Sequence, residues 1–135
     1  MKHTKGFTLI ELMVVLAILG IITAIALPNL KDKTVESTRS GEGMTALLST
    51  MQAQENYFAN KFTYTTDMTN LNFPDPLITE SGNYKIIADL CDDGSSISAC
   101  VKLSAVAIGR QAGDGNLTLN SRGNKTFKGS AGWPL

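Results

Sequence analysis

The stretch that decides the fold of this chain is its start, Met1-Lys2-His3-Thr4-Lys5-Gly6-Phe7-Thr8-Leu9-Ile10-Glu11-Leu12. A short basic leader comes first, and an apolar segment that carries one carboxylate, Glu11, follows it. A conventional secretory signal places its small-residue cleavage site after the apolar core, so that the core is discarded. Here the small residue Gly6 precedes the core. Cleavage after Gly6 would therefore leave the whole apolar segment at the start of the mature chain.

The apolar segment is long enough to span a membrane. Glu11 is the only ionisable side chain over residues 7–27. A helix of that length is about 31 Å long, close to the thickness of a bilayer's hydrocarbon core. Lys2 and Lys5 precede it, whereas the charges that follow it are balanced, which favours a cytoplasmic N-terminus. We therefore expect everything after Pro28 to be exported.

Glu11 is expected to need a cationic partner. A carboxylate in a membrane segment costs on the order of 2.5–3.5 kcal/mol at a helix centre and less near its end, and such groups are usually paired. After cleavage the other formal charge nearby is the α-amino group of Phe7, in the same subunit or in a neighbour. A neighbour fits better, because helices stacked with an axial offset satisfy both charges. Glu11 is therefore predicted to act in assembly, the alternative being solvation by lipid headgroups.

Gly6-Phe7-Thr8-Leu9-Ile10-Glu11 resembles the class III signal of type IV prepilins, and the resemblance extends over residues 5–28. It implies that a membrane peptidase cuts between Gly6 and Phe7 and N-methylates Phe7. Gly20 and Pro28 lie where that family has a helix-loosening Gly and Pro, and the stretch between them is implied to extend in the fibre. Gln54-Glu55-Asn56-Tyr57-Phe58 and Tyr64-Thr65-Thr66-Asp67 also resemble the helix end and following loop of many pilins.

The rest of the chain is predicted to form one small exported domain. We expect a leader over residues 1–6, a transmembrane and polymerisation helix over 7–27, an exported amphipathic helix over 28–60, and a loop and sheet over 61–135. The fold class is α+β, a type IV pilin fold in which a long N-terminal helix packs on an antiparallel sheet of about four strands. Asn60-Lys61 is predicted to end the helix. Its apolar stripe is predicted to consist of Met44, Leu47, Leu48, Met51 and Phe58, interrupted by Glu55.

Cys91 and Cys100 bracket a polar turn between two predicted strands. A disulfide across this hairpin is expected in an exported domain, and it would contribute roughly 2–3 kcal/mol on the chain-entropy model. The alternative is two reduced thiols or a metal pair, although no His or further Cys remains in the mature chain to complete a zinc site. Many similar pilins carry another Cys pair near the C-terminus. Here Asn116 and Gly132 stand at those positions, so that bond is missing.

Catalysis has few candidate residues. The only histidine, His3, lies in the leader, both cysteines are expected to be oxidised, and no residue lies in a recognisable nucleophile motif. We therefore predict neither an enzyme nor a cofactor or metal. Asp89, Asp92 and Asp93 suggest calcium, but the EF-hand pattern is not met and acidic residues in turns are more often solvated.

The net charge of zero conceals an asymmetry. Residues 31–100 contain five basic residues against ten acidic, whereas residues 101–135 contain five basic residues against Asp114 alone. A stripe of Lys and Arg on an exposed sheet face would bind DNA phosphates. Packing against the acidic part of a neighbouring subunit, or a solvated face, is the preferred interpretation. The candidate DNA-binding residues are Lys102, Arg110, Arg122, Lys125 and Lys128.

We interpret the sequence as a structural subunit of a type IV pilus, a minor pilin, that serves adhesion, motility or DNA uptake. The alternatives are a pseudopilin of a type II secretion system, a DNA-binding competence pilin and a monomeric membrane-anchored binding protein. The expected partners are other pilin subunits, the prepilin peptidase and methyltransferase, the inner membrane, and DNA or a host or cell surface. The expected location is the bacterial inner membrane, then an extracellular pilus or a periplasmic pseudopilus.

Overall fold

The structure, a computed structural model, describes the backbone of residues 6–134 and the side chains of that range apart from residues 25–39. The chain divides into two compact units, Met1–Val35 and Glu36–Leu135. Over the described residues it forms one α-helix, six strands and two short 3-10 helices. The elements are α1 (Leu9–Lys61), η1 (Met68–Leu71), β1 (Leu77–Ile78), β2 (Tyr84–Leu90), β3 (Val101–Ala107), η2 (Gly109–Gln111), β4 (Leu117–Asn120), β5 (Lys125–Phe127) and β6 (Ser130–Ala131).

The six strands form one antiparallel sheet in sequence order, β1-β2-β3-β4-β5-β6. The predicted α+β class is confirmed, but the sheet exceeds the four strands expected. The two additional strands, β1 and β6, are the edges of the sheet and each contains two residues. A period-two pattern needs at least four residues to be recognised, which is why the sequence did not reveal them.

The core lies on one face of the sheet. Buried and half-exposed residues alternate along β3, and its buried residues Val101, Leu103 and Ala105 are fully covered. Leu117 and Leu119 of β4 share this face, and Leu47 of α1 belongs to the same cluster. The alternation follows from the strand geometry, which points successive side chains to opposite faces. The other face carries the half-exposed side chains of β2, β3 and β4.

The predicted helix end is confirmed, and its cause is visible. Phe62 adopts a left-handed φ of 57° directly after Lys61, and its amide donates to the Phe58 carbonyl at 2.8 Å. A left-handed residue after the last turn is a common way for a helix to end.

The predicted apolar stripe of α1 is confirmed in part. Leu47 is fully buried, and Met44 and Met51 pack against the core. Leu48 is half exposed, however, and does not belong to the buried face. Among the described side chains, the buried residues of the helix are spaced three and four apart and are mostly small or polar. They are Ser40, Gly43, Leu47, Thr50 and Gln54.

Gly43 explains why small residues face the sheet. A Cβ added there would lie 2.8 Å from Leu117 Cδ1 and 3.0 Å from Tyr84 Cε2, too close for any larger residue without movement of these side chains. The helix backbone therefore approaches the sheet directly at this point, and a glycine that weakens an isolated helix permits tight packing here.

Gln54 fixes the start of the long loop that follows the helix. Its side-chain amide donates to the Thr65 carbonyl at 2.6 Å, and its side-chain oxygen accepts from the Thr65 amide at 3.1 Å. Gln54 is fully buried and Thr65 nearly so. A buried backbone amide and carbonyl must find partners, and this one side chain supplies both.

The C-terminal strands are held by hydrogen bonds where many similar pilins have a second disulfide. Trp133 donates its indole N–H to the Thr118 carbonyl at 2.9 Å. The Ala107 amide donates to Asn116 Oδ1 at 3.0 Å, and the Gly132 amide donates to the Lys125 carbonyl at 2.8 Å. These contacts close the last hairpin without a covalent bond.

Among the residues whose side chains the structure describes, no helix is both long enough and apolar enough to span a membrane. The last residues of the segment predicted to span, residues 25–27, lie outside those side chains, as do Pro28 and the residues up to 39. Residues 1–5 of the predicted leader also lie outside the described part of the chain.

Candidate functional site

The apolar segment exposes nearly all of its side chains. Phe7 is 85 % exposed, and the large apolar residues from Leu9 to Ile22 are about half exposed or more. Isolated exposed apolar residues are ordinary, but a continuous row of this length marks a surface that lipid or another chain covers. Gly6 precedes this row and is exposed. The predicted cleavage at Gly6-Phe7 and methylation of Phe7 stay predictions.

Glu11 has a partner within its own helix. Its Oε2 accepts from the Thr8 amide at 2.9 Å and from the Thr8 hydroxyl at 2.8 Å, and the Glu11 amide points back to Thr8 Oγ1 at 3.4 Å. This reciprocal arrangement is a capping box, which satisfies amides that a helix start leaves unpaired. The spacing Thr-x-x-Glu is the sequence signature of this motif. Both residues lie after the predicted cut, so processing would retain the box.

The helix backbone near Gly20 carries an additional hydrogen bond. The Thr23 hydroxyl donates to the carbonyls of Leu19 and Gly20 at 2.9 and 3.0 Å. Such bonds from Thr to the preceding turn slightly destabilise and bend helices. The predicted loosening role of Gly20 stays a prediction, and Pro28 lies outside the described side chains.

The predicted disulfide between Cys91 and Cys100 is confirmed, with the two Cα atoms 5.8 Å apart. We call residues 91–100 the disulfide loop. It joins β2 to β3, and Ile97 packs against the core while its carbonyl accepts from the Tyr64 amide at 3.3 Å. The loop is therefore anchored at its ends and near its middle.

The five candidate DNA-binding residues do not form one stripe. Lys102, Arg122 and Lys125 lie at the end of the sheet where β3 begins, β4 ends and β5 begins, beside the disulfide loop. We call these three residues the basic edge. Arg110 in η2 and Lys128 after β5 lie at the opposite end. The two groups are separated by the length of β4, about 10 Å for four residues.

Two cations of the basic edge are paired with carboxylates of the disulfide loop. Lys102 Nζ donates to Asp92 Oδ1, and Arg122 Nη1 donates to Asp93 Oδ2. Arg122 Nη2 also donates to the Ser95 hydroxyl at 2.7 Å. Hydrogen bonds from Ser95, and the neighbouring Arg122 guanidinium, hold the pKa of Asp93 well below its usual range. These aspartates are therefore paired with cations, whereas their position in a turn had suggested solvated carboxylates.

Lys125 and Lys128 contact aromatic rings. Lys125 Nζ lies 4.6 Å from the centroid of the Trp133 ring, and Lys128 Nζ lies 5.0 Å from that of Phe127. A cation over an aromatic ring is held weakly when exposed, by about 0.5–1 kcal/mol. Lys125 therefore stays available to an anion while its position is restrained.

A polar pocket of about 270 Å³ opens on the outer face beside the basic edge. The Thr118 and Thr126 hydroxyls meet across β4 and β5 at 2.6 Å and form its floor. Asn120 Oδ1 accepts from the amides of Arg122 and Asn124 and so fixes the turn that presents Arg122. The lining residues are Cys91, Asp92, Asp93, Lys102, Thr118, Asn120, Arg122, Asn124 and Thr126.

A larger and more apolar groove of about 650 Å³ lies between α1 and the segment that follows it, residues 62–83. Ala46, Phe73 and Leu77 are among its apolar residues. Glu42 accepts from the Ser81 amide and from Asn83 Nδ2, both at 3.1 Å. Partial burial opposes ionisation of Glu42, but these hydrogen bonds outweigh it and lower the pKa of the carboxyl group. The end of the loop is thereby tied to the helix.

Among the residues that the structure describes, no three His, Cys, Asp or Glu side chains lie close enough together to hold a metal ion.

Two family models match the chain. The prokaryotic N-terminal methylation motif matches residues 1–27, and a model described as "Type IV minor pilin ComP, DNA uptake sequence receptor" matches residues 28–118. Together they cover the apolar segment, the helix and most of the sheet.

Several curated proteins are similar to this chain. Fimbrial protein EcpC of Eikenella corrodens is 34 % identical over 109 residues, which are 79 % of this chain and 69 % of that protein. Fimbrial protein Q of Moraxella bovis is 32 % identical over 136 residues, 96 % of this chain and 78 % of that protein. The type IV major pilin PilA of Myxococcus xanthus is 42 % identical over 71 residues, 53 % of this chain. The match spans only 32 % of PilA.

A solved type IV pilin from Shewanella oneidensis has a similar fold. The TM-score is 0.52 at 19 % sequence identity, over 74 % of this chain and 99 % of that one. At this identity the likeness concerns the fold alone.

Proposed function

The chain belongs to the family of type IV minor pilins, and from this premise we propose that it is built into a pilus and binds double-stranded DNA there. The precursor would lie in the inner membrane with its basic leader in the cytoplasm. A prepilin peptidase would cut it after Gly6 and methylate Phe7, and the mature subunit would join other pilin subunits. The proposal assigns the chain no catalytic activity of its own.

The exposed apolar row from Phe7 to Ile22 supports the assembly step. Covering a row of this length in a helical fibre removes apolar surface from water at roughly 25 cal/mol per Å². In the mature chain the capping box holds the Glu11 carboxylate at the first helical turn. There it would meet the methylated amine of a neighbouring subunit, since the box occupies only one of its two oxygens among the described residues.

Assembly is tested by the intact mass and N-terminal residue of protein sheared from the cell surface. We expect a chain that begins with N-methyl-Phe7. A chain that retains Met1, or one cut after Ala24 or Ala26, would exclude this route. Glu11→Ala should reduce pilus incorporation, and Glu55→Ala, which removes an exposed carboxylate near the helix end, is the matched control. Normal incorporation of Glu11→Ala would refute the role of Glu11 in assembly, whereas absence of the unmodified chain from sheared pili would favour a monomeric anchored protein.

The DNA-binding step rests on the basic edge, together with the description of the family model that covers residues 28–118. Lys102, Arg122 and Lys125 meet at one end of the sheet, next to a polar pocket rich in hydroxyl and amide groups. Cations of this kind bind phosphates, whereas Asn and Thr side chains bind base edges. This local cluster of cations and polar groups favours DNA binding. The interpretation preferred from the sequence alone was that the basic region packs against the acidic part of a neighbouring subunit or is solvated.

DNA binding is tested with the mature chain in detergent micelles and a fluorescent 30-bp duplex of random sequence, by anisotropy at several salt concentrations. Arg122→Glu and Lys125→Glu should each weaken binding and lower the salt slope by about 0.9 for each lost phosphate contact. Arg110→Glu, the same charge reversal at the opposite end of the sheet, should have less effect. Absence of binding at low salt in the unmodified chain would refute the proposal.

A further inference from the structure

The disulfide loop presents its two carboxylates to the basic edge as a phosphate would present its oxygens. Arg122 directs both Nη atoms at loop acceptors, one at Asp93 and one at the Ser95 hydroxyl. Paired oxygens facing the two arms of a guanidinium are the arrangement by which Arg holds phosphate. Lys102 makes the second contact, with Asp92.

The loop is built to keep these carboxylates in place. Asp93 Oδ1 accepts from the Ser95 amide at 3.0 Å, which fixes the side chain in a local turn, and Gly94 supplies the positive φ of 77° that this turn needs. The disulfide closes the loop behind it. Residues 92–99 contain two acidic and no basic residues, so the loop adds only negative charge to this end of the sheet.

The two ion pairs are exposed enough for a phosphate to displace the carboxylates from Lys102 and Arg122. Arg122 and Asp93 are each 46 % exposed at their side chains, and Asp92 is 82 % exposed against 23 % for Lys102. Ion pairs of such exposure are weak, and weaker than a good base contact. A duplex phosphate binds each of these cations about as strongly as the loop carboxylate that is already paired with it. Phosphate contacts alone therefore add little affinity at Lys102 or Arg122.

We propose that Asp92 and Asp93 mask Lys102 and Arg122 against DNA that offers only phosphates, and that the disulfide loop thereby sets the selectivity of the basic edge. This inference rests on the proposed DNA binding. With the mask in place, Lys125 is the one member of the basic edge without a carboxylate partner among the described contacts. At 0.1 M salt a duplex that also forms base contacts in the adjoining pocket displaces the mask, whereas a random duplex displaces it only at low salt, where phosphate contacts are stronger.

The test measures binding of a random-sequence 30-bp duplex by the mature chain, with Asp92→Asn, Asp93→Asn and the double variant. Each substitution should raise affinity about tenfold at 0.1 M salt and steepen the salt slope by about 0.9, the effect of one further phosphate contact. Glu80→Gln removes the same charge at the opposite end of the sheet and is the matched control. Intact mass confirms the disulfide, and urea unfolding followed by Trp133 fluorescence confirms the fold of each variant.

The outcomes separate the two proposals. If the unmodified chain binds and Arg122→Glu weakens it, but the Asp→Asn variants bind no better than Glu80→Gln, DNA binding stands and the mask is refuted. If Glu80→Gln raises the affinity for DNA as much as the Asp variants do, the effect comes from the total charge of the protein, and the mask is again refuted. If the unmodified chain binds a random duplex at low salt but only the Asp variants still bind it at 0.1 M salt, the mask is supported. If no variant binds at low salt, both proposals fail.

Discussion

The Gln54 side chain provides the most direct test of how helix and loop are joined. Gln54→Ala removes both hydrogen bonds to Thr65 and leaves a buried amide and a buried carbonyl without partners. Each such group costs about 1–3 kcal/mol. Allowing for some access of water to the vacated space, we expect a loss of about 2–4 kcal/mol in the free energy of unfolding.

The assay is urea unfolding of the full chain in detergent micelles, followed by the fluorescence of Trp133. This is the only tryptophan, and it packs against the core. Gln52→Ala, an exposed position on the same helix, is the matched control and should change stability by less than about 0.5 kcal/mol. A loss below about 1 kcal/mol for Gln54→Ala would refute the role given to this side chain.

Gln54→Glu distinguishes the hydrogen bonds from simple packing. The ionised carboxylate still accepts from the Thr65 amide, but only the protonated acid donates to the Thr65 carbonyl. Burial and that carbonyl raise the folded-state pKa above the unfolded value of about 4.3. The stability contributed by protonation is therefore fully present below about pH 4 and is lost as pH rises through the folded-state pKa. A variant whose stability does not depend on pH in this range would contradict the geometry.

Three further predictions concern the second unit. Gly43→Ala should be about 1–3 kcal/mol less stable than Gly41→Ala in urea unfolding. An added Cβ meets Leu117 and Tyr84 at Gly43, whereas at Gly41 it meets nothing within 4 Å. Equal stabilities of the two variants would refute the close approach of the helix to the sheet. Replacing Cys91 and Cys100 with Ser should cost roughly 2–3 kcal/mol, and an unchanged urea midpoint would contradict it. The pKa values of Asp93 and Asp67 are lowered, chiefly by hydrogen bonds from Ser95 and Thr69 respectively. Their contribution to stability is present above about pH 4 and is lost as pH falls further, so acid titration of Asp93→Asn should show a shallower decline than the unmodified chain.

Local features of this structure could be predicted from the sequence. The disulfide joins residues nine apart across one hairpin, so spacing alone suggested it. The helix end at Lys61 was also predicted correctly. The basic C-terminal region was recognised by counting residues, although its role in binding stays a proposal.

Features that depend on contacts between distant residues could not be predicted. The pair of Arg122 and Asp93 joins residues 29 apart, and Glu42 bonds Asn83 from 41 residues away. The buried face of α1 was predicted only for its apolar residues, because Ser40, Thr50 and Gln54 look like surface residues in a sequence. They are buried because the backbone at Gly43 approaches the sheet, which an apolar pattern does not show.

The position of the single disulfide has a consequence for the order of maturation. Its two cysteines flank adjacent strands of one hairpin, and the C-terminal strands are closed by Trp133 and by backbone hydrogen bonds instead. No strand pairing of the described residues contains a cysteine, so the sheet does not need the disulfide to set its register. Under the proposed export, the subunit would reach its topology first and be oxidised afterwards, so that oxidation adjusts one surface loop of an already folded domain.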